Sequence, residues 1–139
     1  MTIWKYKDVG HSQEATQKLQ ELMGGKKYFT YPKPVKLVQR AIQLYSNEDS
    51  IILDFFAGSA TTAEAVMKQN MDDGGHRRFI MVQLPEKTYK TNEDGTPKLK
   101  DGRMIPTKGG RSALEDGYMS IDEISRERIR RAAAKIRED

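Results

Sequence analysis

With 139 residues, of which 37% are hydrophobic and 32% charged, the chain is long enough for one domain with one core. It has no cysteine, which excludes disulfides and thiolate zinc sites, and its two histidines, His11 and His76, are too far apart to suggest a metal site. No apolar run reaches the length of a membrane span and no signal pattern is present, so we expect a cytoplasmic protein without membrane contact, and the net charge of +4 mildly favours a polyanionic partner.

Two helices separated by an extended segment are predicted in the first third of the chain. Ser12 opens the first helix, and Gly24-Gly25 ends it. Pro34 is a suitable first residue for the second helix, which presents one apolar face. We interpret Trp4 and Tyr6 as the cover of a hydrophobic edge, with base stacking as the alternative.

A strand, a helix and a second strand follow. Residues 50–55 form a short continuous apolar run, typical of a strand buried on both faces of a parallel sheet. Thr61 to Glu64 offer a capping box for the helix, and residues 78–84 form the second strand. This order predicts one βαβ unit with a right-handed crossover. Because two strands do not make a stable parallel sheet, we expect the chain to belong to a larger fold or to borrow strands.

Residues 87–119 lack periodicity and are rich in Lys, Asp, Gly, Thr and Pro, which predicts a long mobile loop within the single domain 1–139. Its basic residues are candidates for contact with phosphates, and disorder without such contact is the alternative. These residues are Lys87, Lys90, Lys98, Lys100, Arg103, Lys108 and Arg111.

The last helix begins with a capping box at Ser120 to Glu123 and has one apolar face. Its six basic and five acidic residues nearly balance, which predicts a solvated, salt-bridged face and not a DNA clamp. The basic residues are Arg126, Arg128, Arg130, Arg131, Lys135 and Arg137.

The turn at residues 56–60, between the first strand and its helix, is the most informative stretch. Gly58 has no side chain, so a ligand can approach the backbone, and the free N–H groups near Thr61 attract a negative group. Asp54 would repel phosphates, so a zwitterionic or cationic ligand fits better than a bare nucleotide. A turn that binds no ligand is the alternative, since short glycine motifs are common.

The run Asp54 to Ser59, followed by Thr61-Thr62 and an Ala/Val helix, resembles the S-adenosylmethionine-binding motif of DNA amino-methyltransferases. Within that group the chain resembles the modification subunit of type III restriction-modification systems. Further segments carry the same resemblance, among them a Lys-Pro motif at residues 31–37. The others are residues 8–16, 79–86 and 124–131. Together the motifs cover most of residues 3–86 and 120–137.

The resemblance implies a partial Rossmann-like methyltransferase fold, a three-layer α/β/α arrangement around a parallel sheet. It implies transfer of a methyl group from S-adenosylmethionine to the exocyclic amine of a flipped adenine in DNA. It also implies DNA and a restriction subunit as partners, with a homodimer as a further expectation. The residues implied to bind the cofactor are Lys33, Pro34, Asp54, Phe56, Ala57, Gly58, Ser59, Ala60, Thr61, Thr62 and Gln83.

The catalytic Asp-Pro-Pro-Tyr motif of this group lies upstream of the cofactor motif, and it is absent from residues 1–50. We therefore assign no catalytic residue and expect the chain to be the C-terminal, cofactor-binding portion of a longer methyltransferase, inactive by itself. Measurable methyl transfer by this chain would refute that expectation.

Two positions depart from the family pattern, and both suggest weak binding of the cofactor. Ala60 stands where glycine is usual, and Gln83 stands where an acid often accepts bonds from the ribose. They leave open a non-catalytic methyltransferase-like binding or subunit-assembly module. A dinucleotide-binding protein is a weaker alternative, because the turn lacks Gly-x-Gly-x-x-Gly and Asp54 opposes a pyrophosphate.

Overall fold

The computed structural model describes residues 4–138, without the side chain of Tyr6, so the prediction for that side chain lies outside the described residues. Three helices precede a β1–α4–β2 unit, a short hairpin and two further helices, and most of these elements lie where the sequence predicts. The helices are α1 (Tyr6–Val9), α2 (Ser12–Leu22), α3 (Val35–Tyr45), α4 (Thr61–Asp73), α5 (Arg111–Glu115) and α6 (Ile121–Glu138). The strands are β1 (Ile51–Asp54), β2 (Arg78–Met81), β3 (Leu99–Lys100) and β4 (Arg103–Met104).

Strands β1 and β2 pair in parallel, from Ile51 opposite Arg78 to Asp54 opposite Met81. Helix α4 connects them, so the predicted βαβ unit is confirmed. The strands end at Asp54 and Met81, before the ends of the apolar runs at residues 55 and 84. The turn at residues 56–60 follows almost directly after β1.

Only one face of this sheet is covered within the part of the chain that the structure describes. Ile52 and Phe79 point to the covered face, where they pack against a buried cluster of Ile42, Ala65 and Val66 from α3 and α4. The side chains that alternate with these along the two strands and beyond their ends point to the other face, which no described residue covers. The exposed apolar side chains on that face are Ile51, Leu53, Phe55, Ile80, Val82 and Leu84. The expectation that β1 is buried on both faces is therefore wrong for this chain, and the described architecture is a mixed α/β fold with a small parallel sheet.

Helix α4 lies at the centre of the fold. It packs against α3, β2 and α6, and its buried positions are occupied mainly by small residues such as Ala63 and Ala65. A second buried cluster joins α2 to α6, with Leu19 and Met23 against Ile124. The turn before α4 is thereby placed between two packed groups of helices.

Residues 87–119 differ from the prediction, because they contain regular structure. They form the antiparallel hairpin of β3 and β4, helix α5, and bridges that pair Lys87 with Ser120 and Tyr89 with Pro106. Buried Thr88 donates its hydroxyl to the Tyr118 carbonyl at 2.7 Å. The sequence did not indicate this because strands of two residues have no detectable periodicity.

The two faces of the sheet predict different costs for truncation of neighbouring side chains. We expect Ile52→Ala to lower the free energy of unfolding by about 2 kcal/mol, because it opens a cavity against α3 and α4. Leu53→Ala, on the bare face, should cost less than about 1 kcal/mol. Urea unfolding of both variants measures the difference, and equal losses would show that both faces are covered in solution.

Candidate functional site

The turn between β1 and α4 has a left-handed backbone at two positions. The φ angles are 50° at Gly58 and 58° at Ala60. The Ala57 N–H donates to the Val82 carbonyl at 3.1 Å, and the Ala60 N–H donates to the Ala57 carbonyl at 2.6 Å. Glycine is the residue that adopts such angles without strain, so the alanine at position 60 is strained by about 1–2 kcal/mol.

Asp54 joins the end of β1 to the first turn of α4. One carboxylate oxygen accepts the Phe56 N–H at 3.0 Å, and the other accepts the Thr62 hydroxyl at 2.6 Å. The predicted capping box from Thr61 to Glu64 is wrong, because the residue before the helix is Ala60, which has no side-chain acceptor. Asp54 instead ties the helix start to the strand.

Gln83 supports the turn from the side of β2. Its side-chain carbonyl accepts the Gly58 N–H at 2.7 Å, and its amide donates to the Leu84 carbonyl at 3.1 Å. Gln83, which the family resemblance places beside the ribose of the cofactor, therefore also contacts the turn.

Arg128 of α6 supports the turn from the opposite side and is only 3% exposed. Its Nη1 donates to the Ser59 carbonyl at 2.7 Å, to the Ser59 hydroxyl at 2.8 Å and to the Thr61 hydroxyl at 2.9 Å. One helical turn earlier, the Ser125 hydroxyl donates to the Gly58 carbonyl. The expectation of a solvated face is wrong for Arg128. It lies on the same side of α6 as Ile124 and Ala132, which are buried against the core.

Glu64 neutralises this buried guanidinium. Its Oε2 accepts hydrogen bonds from Nε and Nη2 of Arg128 at 3.2 and 2.9 Å. The Lys68 ammonium lies 2.9 Å from the other carboxylate oxygen, Oε1. Burial favours a higher pKa for Glu64, but the charges of Arg128 and Lys68 outweigh burial and hold the pKa below its ordinary value of 4.5. The pair is therefore ionised at neutral pH.

A cleft of about 250 Å³ lies along the turn. One wall is the turn and the start of α4, and the other is residues 29–33 together with Val38 of α3. The Thr61 hydroxyl donates to the Lys33 carbonyl at 3.4 Å, which connects the two walls. The exposed ring of Phe56 stands at the same site.

The structure brings most of the residues predicted for the site together at this cleft. Those that line it are Lys33, Asp54, Phe56, Ala57, Gly58, Ser59, Thr61 and Thr62. Three predicted residues do not line it. Ala60 is fully buried, Pro34 precedes α3 and lines a neighbouring groove, and Gln83 supports Gly58 from behind. The sequence did not single out Phe29 or Val38 as wall residues, since both read as ordinary apolar positions.

Within residues 4–138 the structure contains no group of three or more His, Asp or Glu side chains that is able to hold a metal ion. No described helix combines the length and hydrophobicity that a membrane crossing requires.

Comparison with known families gives a match to the family described as DNA methylase over residues 1–132. The chain belongs to this family. The matched residues include the small parallel sheet and the strand-to-helix turn described above.

Relatives of this methylase chain include modification (Mod) subunits of type III restriction-modification enzymes. The StyLTI Mod subunit of Salmonella typhimurium is 39% identical over 94% of the chain, and the EcoPI Mod subunit of Escherichia phage P1 is 38% identical over 96%. The EcoP15I Mod subunit of Escherichia coli is 35% identical over 89% of the chain. The chain spans only 17%, 18% and 16% of the lengths of these relatives.

The strain at Ala60 predicts a stabilising substitution. Ala60→Gly removes about 1–2 kcal/mol of backbone strain and loses one buried methyl group worth about 0.8 kcal/mol, so the free energy of unfolding should rise by up to about 1 kcal/mol. The matched control is Ala63→Gly, equally buried but helical, which should lower it by about 1 kcal/mol or more. If both variants lost the same free energy of unfolding in urea, the result would contradict backbone strain at Ala60.

Proposed function

We propose that this chain is the cofactor-binding portion of a site-specific DNA adenine-N6 methyltransferase of a type III restriction-modification system. The observation that supports it most is the convergence of eight residues of the methyltransferase-like motifs on one cleft at the end of β1. The similarity to three Mod subunits supports the assignment to type III systems. The proposal includes DNA, a restriction subunit and a second copy of the protein as partners of the full-length enzyme.

The chemistry of the cleft fits the amino-acid end of S-adenosylmethionine, which supplies an electrophilic methyl group when bound. Asp54 places a carboxylate for the ammonium, and it has lone pairs left after its two internal bonds. The first N–H groups of α4 have no partner within the helix and attract the carboxylate. The exposed ring of Phe56 suits the cationic sulfonium. Lys33 flanks this end from the cleft wall, Pro34 follows it in the adjoining groove, and Gln83, bonded to the Gly58 N–H, is proposed to lie on the ribose side.

The size of the cleft fits only part of the cofactor. A volume of about 250 Å³ is smaller than the roughly 300–1,000 Å³ of pockets that enclose a whole drug-sized ligand. In the proposed longer methyltransferase, further strands and a second helical layer complete a three-layer α/β/α sandwich around the bare sheet face. That portion also supplies the Asp-Pro-Pro-Tyr motif, so the present chain binds the cofactor without transferring its methyl group.

A non-catalytic binding or assembly module is the second candidate. The strained Ala60 and the occupation of the Gly58 N–H by Gln83 favour it, because both reduce what the turn offers to a ligand. The two candidates differ in whether S-adenosylmethionine binds at all.

Calorimetry with S-adenosylmethionine tests the proposed function. We expect a dissociation constant of about 1 mM or tighter, equivalent to about −4 kcal/mol, with displacement by S-adenosylhomocysteine and none by NAD. Asp54→Asn should weaken binding about tenfold, since it removes the charge that faces the ammonium. Asp49→Asn, an exposed acid in the turn before β1, is the matched control and should bind as the natural chain does. No heat at millimolar cofactor would favour the assembly module.

We further propose that residues 87–111 contact DNA phosphates in the full-length enzyme. The segment carries seven basic and three acidic residues, a net charge of +4 that equals that of the whole chain. All seven basic side chains are exposed, and none forms an ion pair within the part of the chain that the structure describes. The hairpin of β3 and β4 presents several of them on an ordered scaffold.

Salt titration of binding to duplex DNA tests this contact. The triple variant Lys98→Gln, Lys100→Gln, Arg103→Gln should bind more weakly, and the slope of log affinity against log salt should fall by about 2–3, because each lost phosphate contact removes about 0.9. The control is Arg126→Gln, Arg130→Gln, Arg137→Gln on α6, which removes the same charge from exposed positions. Equal losses in the two variants would show that net charge alone governs binding.

A further inference from the structure

We propose that Arg128 is a positioning residue for the cofactor, which fixes the orientation of the peptide groups in the turn without touching the ligand. The inference rests on the proposed function, because it concerns the same site. It assigns a role to α6, which contributes no residue to the lining of the cleft.

The contacts of Arg128 are with the backbone and hydroxyls of the turn as well as with its counter-ion. One nitrogen, Nη1, makes three bonds to Ser59 and Thr61, while Nε and Nη2 face the Glu64 carboxylate. A planar guanidinium is able to serve both sets of acceptors at once, whereas a lysine ammonium with the same charge is not. The arrangement is therefore specific for arginine.

The bonds from α6 act on two successive carbonyls in the strained part of the turn. Ser125 holds the Gly58 carbonyl and Arg128 holds the Ser59 carbonyl, between the left-handed residues Gly58 and Ala60. The C=O and N–H of a trans peptide group point in opposite directions. With the Gly58 carbonyl held toward α6, the Ser59 N–H points away from α6, where a ligand carboxylate can accept it.

The burial of the pair supports a geometric role over a purely stabilising one. Arg128 is 3% exposed and Glu64 is 9% exposed. A buried ion pair is weak evidence for stability, because well-packed apolar residues of similar size often stabilise a core equally well. An apolar pair is unable to hold the Ser59 carbonyl, however, and a strained backbone persists only where its surroundings determine it fully.

Two variants separate positioning from stability in the full 139-residue chain. Arg128→Lys keeps the charge that neutralises Glu64, and the double variant Glu64→Leu with Arg128→Met keeps an apolar core. For both, we expect urea unfolding close to that of the natural chain, faster hydrogen exchange at the hydrogen-bonded amides of Gly58 and Ala60, and at least tenfold weaker binding of S-adenosylmethionine. Arg126→Lys, an exposed ion-paired position on the same helix, is the control and should change none of the three.

The amide exchange, measured without ligand, distinguishes failure of this inference from failure of the proposed function. A folded variant at position 128 with natural exchange at Gly58 and Ala60 and natural cofactor affinity would overturn the inference. A second outcome combines two results: the natural chain gives no heat with S-adenosylmethionine, and amide exchange in the turn is faster in Arg128→Lys. That outcome would overturn the proposed function, and with it the role of Arg128 in binding a ligand. If Arg128→Lys fails to fold, the apolar double variant decides between the same outcomes.

Discussion

The reversal of the chain between Asp54 and Thr61 needs backbone angles that an alanine adopts only under strain, and two separate parts of the fold, the residues after β2 and helix α6, hold it in place. The backbone after β2 accepts a bond from Ala57, Gln83 accepts one from Gly58, and α6 donates to the next two carbonyls. These supports come from two distant parts of the sequence, residues 82–83 and α6. The shape of the turn is consequently a property of the assembled fold and not of the short motif that marks it.

Small residues on α4 make this convergence possible. Ala63, Ala65 and Val66 are fully buried, so α3 and α6 approach the helix closely on both sides. The long side chain of Arg128 then spans the distance from α6 to the turn, and Glu64 of α4 neutralises it on the way. Helix α4 therefore has two roles at the turn. Its small residues allow close packing, and its Glu64 neutralises Arg128.

The sequence predicted the βαβ unit and the helices α2, α3 and α6, but not the network of bonds behind the turn. The βαβ unit followed from two apolar runs and the helical spacing between them, and the proline and glycine positions set the ends of α2 and α3. The near balance of charges on α6 predicts a solvated Arg128, whereas the structure buries it. Its spacing carried the better signal, since it lies four residues after Ile124 and four before Ala132, on the buried stripe of α6.

Residues 87–119 escaped prediction because their strands are two residues long and because the bonds that join the segment to the rest of the fold link positions distant in sequence. The Ile121 N–H donates to the Glu86 carbonyl at 3.0 Å, and Thr88 donates to Met119 at the same distance, so the segment leaves and rejoins the fold at adjacent points. Within it, Ala113 of α5 packs in the buried cluster with Ile124 of α6, whereas the hairpin of β3 and β4 is able to lengthen or shorten without displacing β2 or α6, because loop closure depends only weakly on length. The hairpin is therefore a place where the exposed surface can change while the strand-to-helix turn and its supports stay fixed.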